Sequence, residues 1–280
     1  MNKQRHKQLI GMLKELHLPM FREYHQEFAQ AASADELGYE EYLYELAQRE
    51  CEVRRANKIA RLVKASKLPL EKTLQTFELK RLPLKIRRQV KVLSEGRFAD
   101  HSENILAFGK PGSGKTHLLC GICHELARQG RKVYFTTCDL IVQELLRAKQ
   151  ELVLDKLLRK LGRFDVLMID DFGYVKQNRE EMEVLFTLLA HRYERGSVLL
   201  TSNLPFSKWE MIFKDPMTTA AAIDRLVHHS VILELNVPAI ELSRPESEKI
   251  GISNVQKVPP WRHSQEALVH GKDVITERKK

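Results

Sequence analysis

Between residues 104 and 235 short apolar runs alternate with longer stretches of helical period. Ile105 to Phe108, Val133 to Phe135, Val166 to Ile169, Ser197 to Ser202 and Val231 to Leu235 are the runs. Helices are expected at Thr116 to Arg128, ended by Gly130; at Asp139 to about Leu161; and at Glu180 to Arg195, ended by Gly196. Apolar on both faces and separated by helices, such strands predict a parallel sheet covered on both sides, an α/β fold.

The chain before residue 67 reads as helical throughout. Leu9, Met12, Leu13 and Leu16 recur at helical spacing until Pro19 stops the run. Phe21, Tyr24 and Phe28 share the next face, and Tyr39 to about Ser66 continues without Gly or Pro. Lys67 to Pro83 has two Pro-Leu pairs and no clear period. Phe77 is its one aromatic, placed to dock on the following domain. The expected organisation is a small helical domain at 1–66, a basic linker leading into the core at 67–103, an α/β core at 104–244 and a polar tail at 245–280.

Charge sharpens this picture. The chain carries a net +9 over 280 residues, and Arg49 to Lys91 holds 14 Lys and Arg against 4 Asp and Glu. This stretch contains the whole excess, so a nucleic-acid partner is expected there, through Arg54, Arg55, Lys58, Arg61 and Lys64. No apolar run approaches the roughly 18 residues of a membrane span. No secretory leader is read at the start, and four cysteines are too few for a disulfide scaffold. A cytoplasmic protein is expected.

Gly109-Lys110-Pro111-Gly112-Ser113-Gly114-Lys115-Thr116 fits G-x-x-x-x-G-K-[ST] between a strand and a helix, with His117 next. Close backbone N–H donors and a helix N-terminus suit polyphosphate. Lys115 is expected on the β- and γ-phosphates and the Thr116 hydroxyl on Mg²⁺, which makes ATP the expected ligand. The strand at 166–169 ends in Asp170 and Asp171, at the edge where open α/β sheets hold ligands. Asp170 is the candidate Mg²⁺ ligand, and Asp171 is the candidate for polarising the attacking water. A third strand ends beside Asn203, a candidate for contact with the γ-phosphate or that water.

The order of phosphate loop, acid-ended strand and polar-ended strand resembles the AAA+ ATPases. The wording of 67–77, Asp165 to Gly173, Ala190 to Trp209 and Thr219 to His229 resembles the IstB family of insertion-sequence transposition ATPases. That family is similar to replicative helicase loaders of the DnaC type. The resemblance implies an ATPase that assembles with ATP into an oligomer, grips duplex DNA and assists the transposase of the same element. It implies that Arg225 is an arginine finger serving a neighbouring subunit's ATP. Arg192 also matches the family wording, with a structural ion pair as its alternative. The match lapses at Val237 to Glu241, where family members often show Ser-Tyr-Arg. Two alternatives stay open: a helicase loader, and a DNA-binding scaffold that uses ATP as a ligand with little hydrolysis.

Cys120, Cys123 and His124 invite a zinc reading, but no second ligand pair has matching spacing, so core packing is expected. His228 and His229 are expected to be structural.

Overall fold

In the computed structural model, which describes residues 2–173, 179–209 and 216–235, each of the five apolar runs forms a strand. They are β1 (Asn104–Phe108), β2 (Val133–Thr137), β3 (Val166–Asp170), β4 (Ser197–Ser202) and β5 (Ser230–Glu234). All pair in parallel, in the order β2-β3-β4-β1-β5. Every residue of β3 and β4 is buried, which is why their centres, Val166 to Ile169 and Val198 to Leu200, are apolar on both faces.

In the N-terminal part, α1 (Lys3–Glu15), α2 (Pro19–Ala34) and α3 (Tyr39–Ser66) follow one another. Pro19, which stops the first helix, is the first residue of the second, where its missing N–H costs nothing. Buried Glu50 of α3 accepts from the Met20 amide at 2.8 Å and from Arg54 Nε at 2.6 Å. Arg54 also donates to the His17 carbonyl. One acid thus fastens the start of α2 to α3.

The stretch 67–103, read above as a basic linker, packs against the sheet. Leu68, Phe77, Leu82 and Phe98 join the core on one side of it. Helix α4 (Leu84–Ser94) buries Ile86, Val90 and Leu93, a helical stripe hidden among charges. The same layer contains α5 (Lys115–Arg128), whose Cys120 and Cys123 are fully buried with their sulfurs 3.9 and 3.8 Å from Met168 Sδ. Burial pushes the Cys120 thiol up to about 12, and the Cys123 thiol also upwards, so neither is a ready metal ligand or nucleophile.

The opposite layer holds α6 (Cys138–Gln150), α7 (Leu154–Leu161), α8 (Arg179–Arg192) and α9 (Pro216–Val227). The single helix expected over 139–161 is therefore two. The break falls at Leu152, which is 93% exposed with φ 57°, although no Gly or Pro marks it. Arg192 is 2% exposed, and its guanidinium donates to the carbonyls of Leu161, Phe164, Asp165 and Ser197. It staples α8 to the starts of β3 and β4, so its role is structural, through carbonyls and not through an ion pair. Residues 237–241 and the expected tail at 245–280 lie outside the described residues. No described helix is long and apolar enough to cross a membrane.

Candidate nucleotide-binding site

The strand order decides the site. β3, β4 and β1 are contiguous, and their C-terminal ends carry Asp170, Asn203 and the phosphate loop respectively. Rings at or just beyond the ends of these three strands tie the ends together. Phe108, Phe172 and Phe206 lie 6.2, 4.8 and 4.9 Å from buried Trp209, ring centre to ring centre. Trp209 Nε1 donates to the Leu204 carbonyl at 3.1 Å, which satisfies its one polar atom.

Residues 109–114 form a loop that turns into α5. Gly112 and Gly114 take φ of 78° and 87°, a region where a side chain would be strained. Lys115 is 6% exposed, and its Nζ donates to the Gly109 and Lys110 carbonyls at 2.9 Å each and to Asn203 Oδ1. Burial lowers its pKa, and the carboxylates of Asp171 and Asp170 oppose that shift. The loop, Lys115 and Asn203 are thus one hydrogen-bonded unit. Lys110, Pro111 and Gly112 form its exposed rim, and Ser113 is buried beneath it.

Thr116 Oγ1 donates to Asp170 Oδ1 at 2.7 Å, so the two expected Mg²⁺ ligands are adjacent. A hydroxyl next to a buried carboxylate suits a hard cation that keeps several waters and takes phosphate oxygens for the rest. Among the described residues no three His, Cys, Asp or Glu cluster to hold a metal by themselves. The two residues fit Mg²⁺ delivered with a nucleotide. Thr201, which no motif pointed to, is a second donor to Asp170 Oδ1, at 2.5 Å. Its hydroxyl also accepts from the Asp171 amide at 2.9 Å. Register is the only sequence signal for it: Ile169 pairs with Leu200, which sets Thr201 beside Asp170.

Asp171 takes φ 56°, a left-handed conformation that Asp tolerates, and its side chain is exposed. Partial burial and the neighbouring Asp170 raise its pKa, while Lys115 and Lys72 pull the other way. This sets a solvent-facing carboxylate next to Asp170, one of the two expected Mg²⁺ ligands.

Arg225 lies elsewhere. The side-chain amide of Asn104, the first residue of β1, donates to the carbonyls of Arg225 and Leu226. Arg225 is therefore at the N-terminal edge of the sheet, a five-residue strand or about 16 Å from the phosphate loop. Its guanidinium stacks over Phe186 at 4.5 Å and donates to the Ala221 carbonyl at 3.3 Å. Nearby, His229 accepts the Asn104 amide through its carbonyl, and both His228 and His229 are exposed.

Of the candidate DNA residues, Arg54, Arg55, Lys58, Arg61 and Lys64 are all exposed along α3. Arg54 is engaged by Glu50 and His17, as described above. A second basic surface is masked in the sequence because acids are interleaved with it. An open groove of about 1000 Å³ between α6 and α7 is lined by Arg147, Lys156, Arg159, Lys160 and Arg163, against Glu144 and Glu151.

The family model described as IstB-like ATP binding protein matches residues 11–245. An insertion sequence ATP-binding protein of Sinorhizobium fredii is 39% identical over 81% of this chain and 76% of its own. The IS5376 ATP-binding protein of Geobacillus stearothermophilus is 39% identical over 84% of this chain and 94% of its own. The IS21 ATP-binding protein of Pseudomonas aeruginosa is 35% identical over 90% and 93%. Among solved structures, the DnaC helicase loader superposes with a TM-score of 0.50 at 17% identity, over 59% of this chain and 97% of that one. The AMPPCP-bound DnaA of Aquifex aeolicus gives 0.51 at 18%, over 61% and 51%. At these identities the two likenesses show the fold, that of the AAA+ P-loop proteins.

Proposed function

The chain belongs to the IstB-like ATP-binding proteins, and from that premise we propose that it is an ATPase which grips duplex DNA and assists the transposase of its own element. The observation that carries the reading is the joined unit of Lys115, Asn203, Thr116 and Asp170 at three contiguous strand ends. In this reading the loop amides and Lys115 hold the β- and γ-phosphates. Thr116 and Asp170 hold Mg²⁺, which screens the charge of the phosphates. Asp171 orients water and takes its proton, and Asn203 positions the γ-phosphate. ATP hydrolysis yields ADP and phosphate.

Arg225 acts in trans. It sits a strand's length from its own phosphate loop, which agrees with a role at a second copy's nucleotide and with the ATP-dependent self-assembly that the family resemblance implies. The relatives named above belong to insertion sequences, and this supports a transposase as the partner. Duplex DNA is held by phosphate contacts, which position without reading sequence.

The test is DNA affinity against salt. Arg55, Lys58, Arg61 and Lys64, changed together to Ala, are expected to weaken binding to all duplex sequences alike. The log–log salt slope should flatten by about 0.9 for each phosphate that is no longer neutralised. Arg54 is left in place because it holds Glu50. Unchanged affinity and slope would sink the reading of α3 as the DNA-binding element and move the search to the α6–α7 groove.

A further inference from the structure

The ten residues from Leu68 to Phe77 contain neither helix nor strand, yet they do not hang free. They lie along one face of α5, where His117, Gly121 and His124 stand at i, i+4 and i+7. His124 Nε2 is 2.9 Å from the Pro69 carbonyl, which can only accept, so this nitrogen carries the proton. Leu74 sits on Gly121 so closely that a β-carbon there would lie 2.7 Å from its Cδ2 and 2.9 Å from its backbone nitrogen. His117 Nε2 donates to the Thr73 carbonyl at 3.0 Å and lies 2.9 Å from Thr76 Oγ1. The Thr76 hydroxyl in turn donates to the Glu71 carbonyl at 2.7 Å. Phe77 is buried edge-on to the His117 ring, 5.2 Å between centres.

This strap joins two elements already given roles. At one end it continues from α3 through Lys67, whose Nζ donates to Tyr134 Oη at 3.0 Å. At the other it is clamped by the residue directly after Thr116. With no backbone ladder of its own, the strap is held by the side chains of α5, by its own Thr73–Thr76 turn and by Leu68 and Phe77 in the core. The His117, Gly121 and His124 contacts give a shift at the N-terminus of α5 a direct route to the strap and to the end of α3.

We propose that the strap couples the ATP site to the DNA-gripping helix α3, with Thr76 and Gly121 as the positioning residues that register it on α5 through His117 and Leu74. This rests on the reading of α3 as the DNA-binding element. Coupling of this kind is reciprocal, and it is measured as the factor by which a saturating non-hydrolysable ATP analogue tightens DNA binding.

The full chain is expected to show a factor of about ten or more. Thr76→Val keeps the size of the side chain and removes the hydroxyl. Gly121→Ala favours the helix and pushes Leu74 away. Both should leave DNA affinity without nucleotide within about twofold and bring the factor close to one. Thr76→Ser keeps the hydroxyl and should restore the factor. A full factor in both variants would overturn the strap as coupler while leaving the DNA reading intact. A factor of one in the unmodified chain would overturn ATP-dependent DNA binding itself, and the strap proposal with it.

Discussion

Replacing Thr201 by Val isolates one hydroxyl that holds both acids of the site. Val has nearly the same shape, so the fully buried position stays filled. Two hydrogen bonds go: the 2.5 Å donation to Asp170 and the 2.9 Å acceptance from the Asp171 amide. Asp170 is 6% exposed, so water does not freely replace the missing donor. A hydrogen bond to a charged group contributes about 1.5–3 kcal/mol, which corresponds to roughly ten- to a hundred-fold in rate if it is removed where the metal is held. The lost bond from the Asp171 amide, at an exposed residue, adds about 0.5–1.5 kcal/mol to the cost in stability. Steady-state ATP turnover over a Mg²⁺ titration reads the first effect, and urea unfolding reads the second. The half-saturating Mg²⁺ should rise and turnover should fall, while Thr201→Ser, which keeps the hydroxyl, should lie close to the parent. Turnover and Mg²⁺ dependence unchanged in Thr201→Val, in a protein of lowered stability, would refute the claim that Thr201 orients the metal-binding acid.

The remaining expectations concern the reacting groups. Asp171→Asn should still bind ATP but turn over about ten-fold or more slowly. Because burial and Asp170 raise the Asp171 pKa, and the group must be ionised to act, the rate should fall with decreasing pH, with the midpoint displaced upwards from that of an ordinary Asp. That acid limb should vanish in the Asn variant, and an unaltered pH–rate profile would move the proton acceptor elsewhere. Arg225→Ala should bind ATP without hydrolysing it, and mixing it with Lys115→Ala should restore part of the activity. An interface in the mixture can pair an intact Lys115 with an intact Arg225. No recovery between subunits shown to co-assemble would count against a shared site.

Much of this was legible in the chain because β1, β3 and β4 lie in the middle of the sheet. Strands buried on both faces have no polar face to blur the pattern, and Asp170, Asp171 and Asn203 fall where the apolar runs end. What stayed hidden lacked a period, lacked a marker or was masked by neighbouring charges. The turn at Leu152 uses no Gly or Pro, and apolar spacing runs on through it from α6 into α7. The stripe of Ile86, Val90 and Leu93 was masked by Lys85, Arg87, Arg88 and Lys91. The strap has no period because α5 side chains hold it and no ladder does. Thr201 could be found only from the register of β3 on β4, a non-local fact. The charge of α3 and the i,i+4 spacing of Glu50 and Arg54 were plain in the sequence, but that this pair is also tied to Met20 and His17 depends on how α2 folds back.

The central claim is that Lys115, gathered with Asn203 and the phosphate loop at the ends of β1, β3 and β4, is the anchor for the ATP phosphates. Equilibrium binding of ATP to Lys115→Ala tests it most directly. A charge-assisted hydrogen bond to phosphate contributes about 1.5–3 kcal/mol, so affinity should fall by roughly ten- to a hundred-fold in a protein that remains folded. ATP affinity equal to that of the parent chain would contradict the assignment of the site.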